Sequence, residues 1–304
     1  MGELIVLNKD ADTVDYIDAD TGERLARVET DFNPHEVTLS PDGDTAYVTC
    51  SLGDSLLFFD NERREVRDRF EHELFDFPHG LAVRESAGEL WLAATYSSQL
   101  FVFDIETEEL LTTFPTHQQH SHMVTFGPDE KTAYIANIGS DTVTVVDADE
   151  RRVVADPPVG EGPEGIAVDP DTGEILVANQ DDGRLSVLDP DSFDDIGPAI
   201  LGTTPIRVVF DPAGRYALVP NRESDDVSVI DTEFTRDGER QPWEIKRIPV
   251  GIWPGGTVFE SSGERAFVAN NKTNDVSVID ADSFEESERF ETGYHPDGIT
   301  YRSD

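Results

Sequence analysis

The 304-residue chain carries 64 acidic against 23 basic side chains, a formal net charge of −41 that excludes nucleic acid and anionic lipid as partners by simple repulsion. A single cysteine, Cys50, excludes a disulfide framework and any Cys-pair metal or redox motif. No apolar run is long enough to cross a membrane, and no signal peptide precedes the first strand, which points to a cytoplasmic protein.

So much charge goes with disorder when a chain lacks apolar patterning. This one has it from end to end, as a hairpin that recurs seven times. Its first strand reads LIVLN (4–8), TAYVTC (45–50), ELWLAA (89–94), TAYIAN (132–137), EILVAN (174–179), YALVPN (216–221) and RAFVAN (265–270). Ten residues beyond each lies an Asp that ends the second strand: Asp18, Asp60, Asp104, Asp147, Asp189, Asp231 and Asp280. The spacings are 42, 44, 43, 42, 42 and 49 residues. A period near 43 carried by short β-branched and aromatic strands predicts an all-β, seven-bladed β-propeller, one four-stranded antiparallel blade per repeat, spanning 1–304 as a single domain.

Two further strands flank each hairpin. One precedes it and ends in a turn, as in VTLSPDG (37–43), IAVDPDTG (166–173) and VVFDPAG (208–214); another follows, as in RLARV (24–28) and LLTTF (110–114). Lettered A to D from the channel to the rim, the strands begin at the N-terminus with B, at Leu4. The missing inner strand is GITYR (298–302), so the first blade closes as three N-terminal strands plus one C-terminal strand, which removes the open edges. The one sizeable irregularity is a longer C–D connection at Thr232–Trp243. The acidic, Lys-poor composition, with four Lys in all, predicts adaptation to high salt, where screening quiets self-repulsion and carboxylates keep the surface hydrated.

The strand ends YVTC, YIAN, LVAN, LVPN and FVAN, each followed by segments such as SDTVTVVD or DVSVID, resemble the YVTN-repeat β-propeller family, which includes surface-layer-like proteins. Propeller lactonases and the d1-haem domain of nitrite reductase are more distant relatives in shape. The resemblance covers the whole chain and implies the fold; propellers host unrelated chemistries, so it does not by itself imply an activity.

Strand A runs from one face of the ring to the other, which puts all D–A and B–C loops on one face and the ordinary turns on the opposite face. All seven histidines, His35, His72, His79, His117, His120, His122 and His295, fall in D–A loops or at the start of strand A. The residue after the usual Pro is His35, His79 and His122 in the second to fourth blades, then Glu164, Ile206, Gly255 and Asp297. Equivalent positions on consecutive blades form an arc around the channel mouth. Three imidazoles and a carboxylate facing one volume are ligands for a transition metal such as Zn, Fe, Mn or Cu. His295 could join the arc, and Cys50, which replaces the Asn that usually ends strand B, is either a fourth soft ligand or a small buried apolar residue. Glu164 would be a ligand or a general base, and Arg207 would clamp an anionic substrate or pair with a surface carboxylate. Arg222, Tyr96, Trp253 and Lys272 map to the same face, while His72 and His117 lie farther from strand A.

Gly160-x-Gly162-x-x-Gly165 matches the dinucleotide fingerprint in letters only, because it contains Pro163 and opens no helix. The expectation is therefore a small-ligand site at the channel mouth holding a transition metal, with lactonase-like hydrolysis or oxidoreduction as its chemistry. The alternative is a non-enzymatic scaffold with a protein partner. Binding of d1-haem would need a wide basic mouth, and four Lys do not supply it.

Overall fold

A computed structural model of the chain describes residues 2–303, apart from Pro198, Asp237, Gly238 and Gln241. Seven four-stranded antiparallel sheets follow one another as the blades of a propeller. In the first, strands B, C and D are Gly2–Asn8, Thr13–Asp18 and Arg24–Glu29, and strand A is the C-terminal Pro296–Ser303, paired antiparallel with Gly2–Asn8. The 3+1 closure expected from the sequence is thus present. Strand A opens at Pro34 in blade 2, Pro78 in blade 3, Ser121 in blade 4, Pro163 in blade 5 and Pro254 in blade 7. In blade 6 it is reduced to Val209–Phe210. Part of the long C–D connection of that blade pairs with itself, Thr235–Arg236 against Glu239–Arg240; residues 237, 238 and 241 lie outside the described residues. Among the described residues no helix is long and apolar enough to cross a membrane.

Strands B and C are buried almost throughout, because each blade is covered on both faces by its neighbours. Seven apolar clusters result, one at each seam between adjacent blades. The cluster of Leu4, Val6, Phe267 and Val278 closes the ring between blades 7 and 1. Strand D at the rim alternates exposed charged residues with half-buried ones, as in Arg24–Glu29, and so gives the acidic surface its hydrated face.

One regularity of strand A was not visible in the sequence. The first residue of each A strand pairs with the residue that ends strand B: Pro34 with Cys50, Pro78 with Ala94, Ser121 with Asn137, Pro163 with Asn179, Pro254 with Asn270 and Pro296 with Asn8. In blade 6 an isolated bridge joins Pro205 to Asn221 in the same way. Immediately afterwards the register shifts, for instance between Pro34 and Glu36 or between Ser121 and Met123. A bulge at this point kinks the strand and re-aims the extra residue. The bulged residues are the arc read from the sequence.

Candidate functional site

The bulge brings the arc together. His35 and His79 meet edge to face with ring centroids 4.5 Å apart, and His79 and His122 stack at 3.6 Å. Asp297 flanks His35 on the other side, 3.6 Å from its Nε2. Glycines at the next position of strand A make this possible. A Cβ on Gly80 would lie 2.4 Å from the His122 carbonyl oxygen, one on Gly256 2.1 Å from that of Asp297, and one on Gly298 2.4 Å from that of His35. In blades 3, 7 and 1, strand A therefore approaches its neighbour too closely for a side chain at this position.

The same position carries Glu36 in blade 2 and Arg207 in blade 6, three blades apart around the ring. The Arg207 guanidinium bonds the Glu36 carboxylate directly, reaches Glu164 at 3.4 Å and donates to the Ile206 carbonyl at 2.8 Å. This buried bridge spans the channel below the imidazoles. Of the two readings the sequence offered for Arg207, the pairing with carboxylates is the one seen, with the channel residues Glu36 and Glu164 in place of surface ones. Glu164 accepts from Arg207 and, at 3.5 Å, from Arg222.

A second ring lies outside the first, formed by the residue that follows strand B: Lys9, Ser51, Thr95, Ile138, Gln180, Arg222 and Asn271. Lys9 pairs with Asp297 at 2.5 Å, and the Thr95 hydroxyl lies 3.0 Å from His122 Nδ1. A cleft of about 300 Å³ opens over both rings, walled by His35, His79, His122, Glu164, Lys9 and Arg222, with Phe77, Tyr96 and His120 at its lip.

Burial sets the protonation states. It pulls His35 down to about 3, with Asp297 opposing and the cations Lys9, Arg207 and Arg222 assisting. Burial likewise holds His79 well below the ordinary imidazole value, helped by His122 and His35, and does the same for His122 with help from Arg207. All three are neutral at pH 7. Burial raises Glu36 to about 7 even though Arg207 opposes it. Burial alone would also raise Asp297, but Lys9, His35, Arg222 and Arg207 hold its carboxyl below the usual carboxylate range. Glu36 is the functional candidate that sequence reasoning missed. It reads as an ordinary strand residue after His35, and only the bulge turns it toward the channel, 3.8 Å from His79 Nε2.

The metal expectation does not fit these residues as they are placed. His79 and His122 lie nearly parallel, 26° apart, so their in-plane lone pairs run side by side instead of converging on one ion. Among the described residues no group of three or more His, Cys, Asp or Glu could hold a metal ion. Cys50 does not belong to the mouth: it is wholly buried in the cluster between blades 1 and 2 with Ile5, Leu7 and Val48, where burial pushes its thiol up to about 12. His295 does not join the arc either. Its Nδ1 is 2.5 Å from Asp10, its Nε2 is 3.5 Å from Lys272 Nζ, and its ring stacks on Tyr294. His117 is exposed, and His72 packs edge-on against Phe101. What remains unexplained within the arc is polar and buried. The Nδ1 atoms of His35 and His79 have no hydrogen-bond partner.

The Asn that ends strand B has a structural task larger than its own turn. Asn270 accepts from the Gly251 N–H and donates to Asp275 and Ser277, and Asn221 does the same with Gly202, Asp226 and Ser228. With Asn8, which accepts from the Gly293 N–H and donates to Thr13, these Asn residues tie the D–A loops before blades 6, 7 and 1 to strand C.

The family profile described as "Lactonase, 7-bladed beta-propeller" matches residues 112–285, more than half of the chain. No curated protein matches. Solved structures that resemble it include a protein of unknown function from Desulfotomaculum acetoxidans, at 14% identity and TM-score 0.84, with 99% of this chain and 98% of that one covered. A candidate 6-phosphogluconolactonase from Bacteroides fragilis aligns at 17% identity and TM-score 0.79, covering 99% and 98%. Hydrazine synthase from Kuenenia stuttgartiensis aligns at 19% identity and TM-score 0.77, covering 91% and 92%. Likeness at these identities concerns the fold alone.

Proposed function

The chain belongs to the seven-bladed β-propeller lactonase family, and on that premise we propose that it hydrolyses a small lactone or ester at the channel mouth, with its own side chains and no resident metal. The observation that carries this reading is the pair of Glu36 and His79. A buried carboxyl at about 7 stands 3.8 Å from a buried neutral imidazole on the wall of the cleft. A general acid–base works best when its pKa lies near the operating pH, and burial has brought Glu36 there. In this reading the proton of the attacking water passes through His79 to Glu36, whose carboxylate holds it because burial leaves the imidazole a weak base, as the water oxygen bonds the carbonyl carbon. The ring C–O bond then breaks and the departing alkoxide recovers the proton, giving a hydroxy acid. Lys9 and Arg222, the cations that wall the cleft, stabilise the charge that develops on the carbonyl oxygen. Arg207 keeps Glu36 and Glu164 in place from below.

A lactone panel (δ-valerolactone, δ-gluconolactone and dihydrocoumarin), followed by proton release with and without EDTA, tests the proposal alongside elemental analysis. Turnover indifferent to chelator and lowered about 100-fold or more by His79→Ala is the expected result. Stoichiometric metal together with chelator-sensitive turnover would overturn the metal-free mechanism and restore the metal-site reading. No turnover of any member would remove the hydrolase reading and leave an interaction scaffold.

A further inference from the structure

Every D–A loop places one residue in the left-handed region just before strand A: Asn33, Phe77, His120, Gly162, Thr204, Trp253 and His295, with φ between 56° and 64°. Asn and Gly occupy this conformation at little cost, and the fold accepts them in blades 2 and 5. A bulky aromatic there is strained, and such strain persists where the surroundings hold it for a purpose. At the lip of the cleft two of these residues, Phe77 and His120, stand together with Tyr96 between them. Tyr96 lies 5.1 Å from Phe77 and 5.3 Å, edge to face, from His120. Phe77 in turn is parallel to His79 within 7°. Tyr96 is 56% exposed.

This side of the cleft is also neutral. Phe77, Thr95, Tyr96 and Ile138 carry no charge, His79 and His122 are held unprotonated, and the cleft's carboxylate and cations, Glu164, Lys9 and Arg222, come from blades 5, 1 and 6. In a chain with a formal charge of −41, an uncharged aromatic patch beside a charged half is a division of labour within one cleft.

We infer that the lip formed by Phe77, Tyr96 and His120 is a subsite for a flat aromatic or unsaturated group, so that the substrate is an aryl-bearing lactone or ester and not a polyhydroxylated one. Stacking on Tyr96 and Phe77 holds the flat group, which leaves the carbonyl toward Lys9 and Arg222. The inference rests on the hydrolase reading for the word substrate, but the subsite itself is a binding claim. Two measurements keep the two apart. The first is the ratio of kcat/KM for dihydrocoumarin to that for δ-gluconolactone. The second is calorimetric binding of the corresponding ring-opened acids, 3-(2-hydroxyphenyl)propanoate and gluconate, which needs no catalysis. The expected result is a preference of at least about tenfold for the aryl member in both, reduced at least about fivefold by Tyr96→Ala and kept by Tyr96→Phe. Tyr96 is exposed, so its truncation leaves the core untouched. If neither lactone turns over but the aryl acid binds preferentially and Tyr96→Ala abolishes that preference, the hydrolase reading fails and the subsite stands. Gluconate binding as tightly as the aryl acid, or a preference indifferent to Tyr96→Ala, overturns the subsite whatever the turnover.

Discussion

The two faces of the ring repeat the same seven-fold plan and treat aromatic residues at strained positions differently. On the turn face Gly43, Gly88, Gly173, Gly214 and Gly263 take the left-handed positions of the A–B turns, and Asp18, Asp104, Asp189 and Asp280 close the C–D turns by accepting backbone N–H groups. Left-handed aromatics there pack into the seams between blades: Phe193 lies half-buried against the cluster between blades 4 and 5, and Phe284 is buried, edge-on against Tyr216 at 5.0 Å. Burial of that ring, about 1.5–3 kcal/mol, offsets a strain of about 1–3 kcal/mol. At the mouth Phe77 and Trp253 take equivalent strain without full burial, at the edge of the cleft or over the cations Arg222 and Lys272. One face spends its repeat on closing the protein; the other leaves surface for a ligand.

The contrast can be broken most severely through the seam that both faces share. Removing residues 296–303 takes away strand A of blade 1, leaves Gly2–Asn8 with one partner strand fewer, and strips Asp297 from Lys9 and His35. The expected outcome is loss of a cooperative thermal transition, that is, of most of a stability of about 5–15 kcal/mol. An unchanged Tm would mean that the ring does not depend on its closing strand.

Acid separates the faces next, because the buried imidazoles lie only at the mouth. His35 has a folded value of about 3 against an ordinary 6.5, so below pH 6.5 the unfolded chain takes up a proton that the folded chain refuses. His79 and His122 behave in the same direction. Stability should fall on acidification from pH 6.5, by about 1.4 kcal/mol per pH unit for each such histidine. Glu36 acts oppositely. Its folded value of about 7 exceeds its ordinary 4.5, so its contribution is full below pH 4.5, fades as pH rises through 7, and offsets one histidine between those limits. Denaturant titrations across this range measure the net slope, and a flat profile would mean that the imidazoles protonate in place.

Salt should produce the smallest effect and the sharpest contrast. The net charge of −41 resides on the exposed surface, whereas the mouth balances Lys9, Arg207 and Arg222 against Glu36, Glu164 and Asp297. Lowering KCl from molar to tens of millimolar should lower Tm through unscreened self-repulsion and change kcat for a neutral lactone much less. A Tm indifferent to salt would remove the high-salt reading of the composition.

The fold was legible because its signal is repetition. Seven strand ends from Asn8 to Asn270 and the unmatched GITYR segment determine blade number and closure without any contact being known. The arc of His35, His79 and His122 was legible for the same reason. Its chemistry was not. Whether three imidazoles converge on an ion or stack depends on a bulge and on glycines that admit backbone contact, and neither has a signature within one repeat. Glu36 was hidden because strand alternation hands it to neither face with certainty once a bulge intervenes. For Arg207 pairing with a carboxylate was one of two readings, but the partner was not legible, since Glu36 lies three blades away. Of the two readings of Cys50, soft ligand or small buried apolar residue, the second holds: it is part of a seam between blades.

The central claim is that Glu36, poised near neutrality by burial, drives hydrolysis through His79. The most direct test is the pH dependence of kcat/KM for the lactone turned over fastest, in the parent protein and in Glu36→Gln. The account predicts a parent profile that rises with pH through an apparent pKa near 7, with loss of that rise and about 100-fold lower activity in the variant. A Glu36→Gln protein that keeps both the activity and the rise would contradict it.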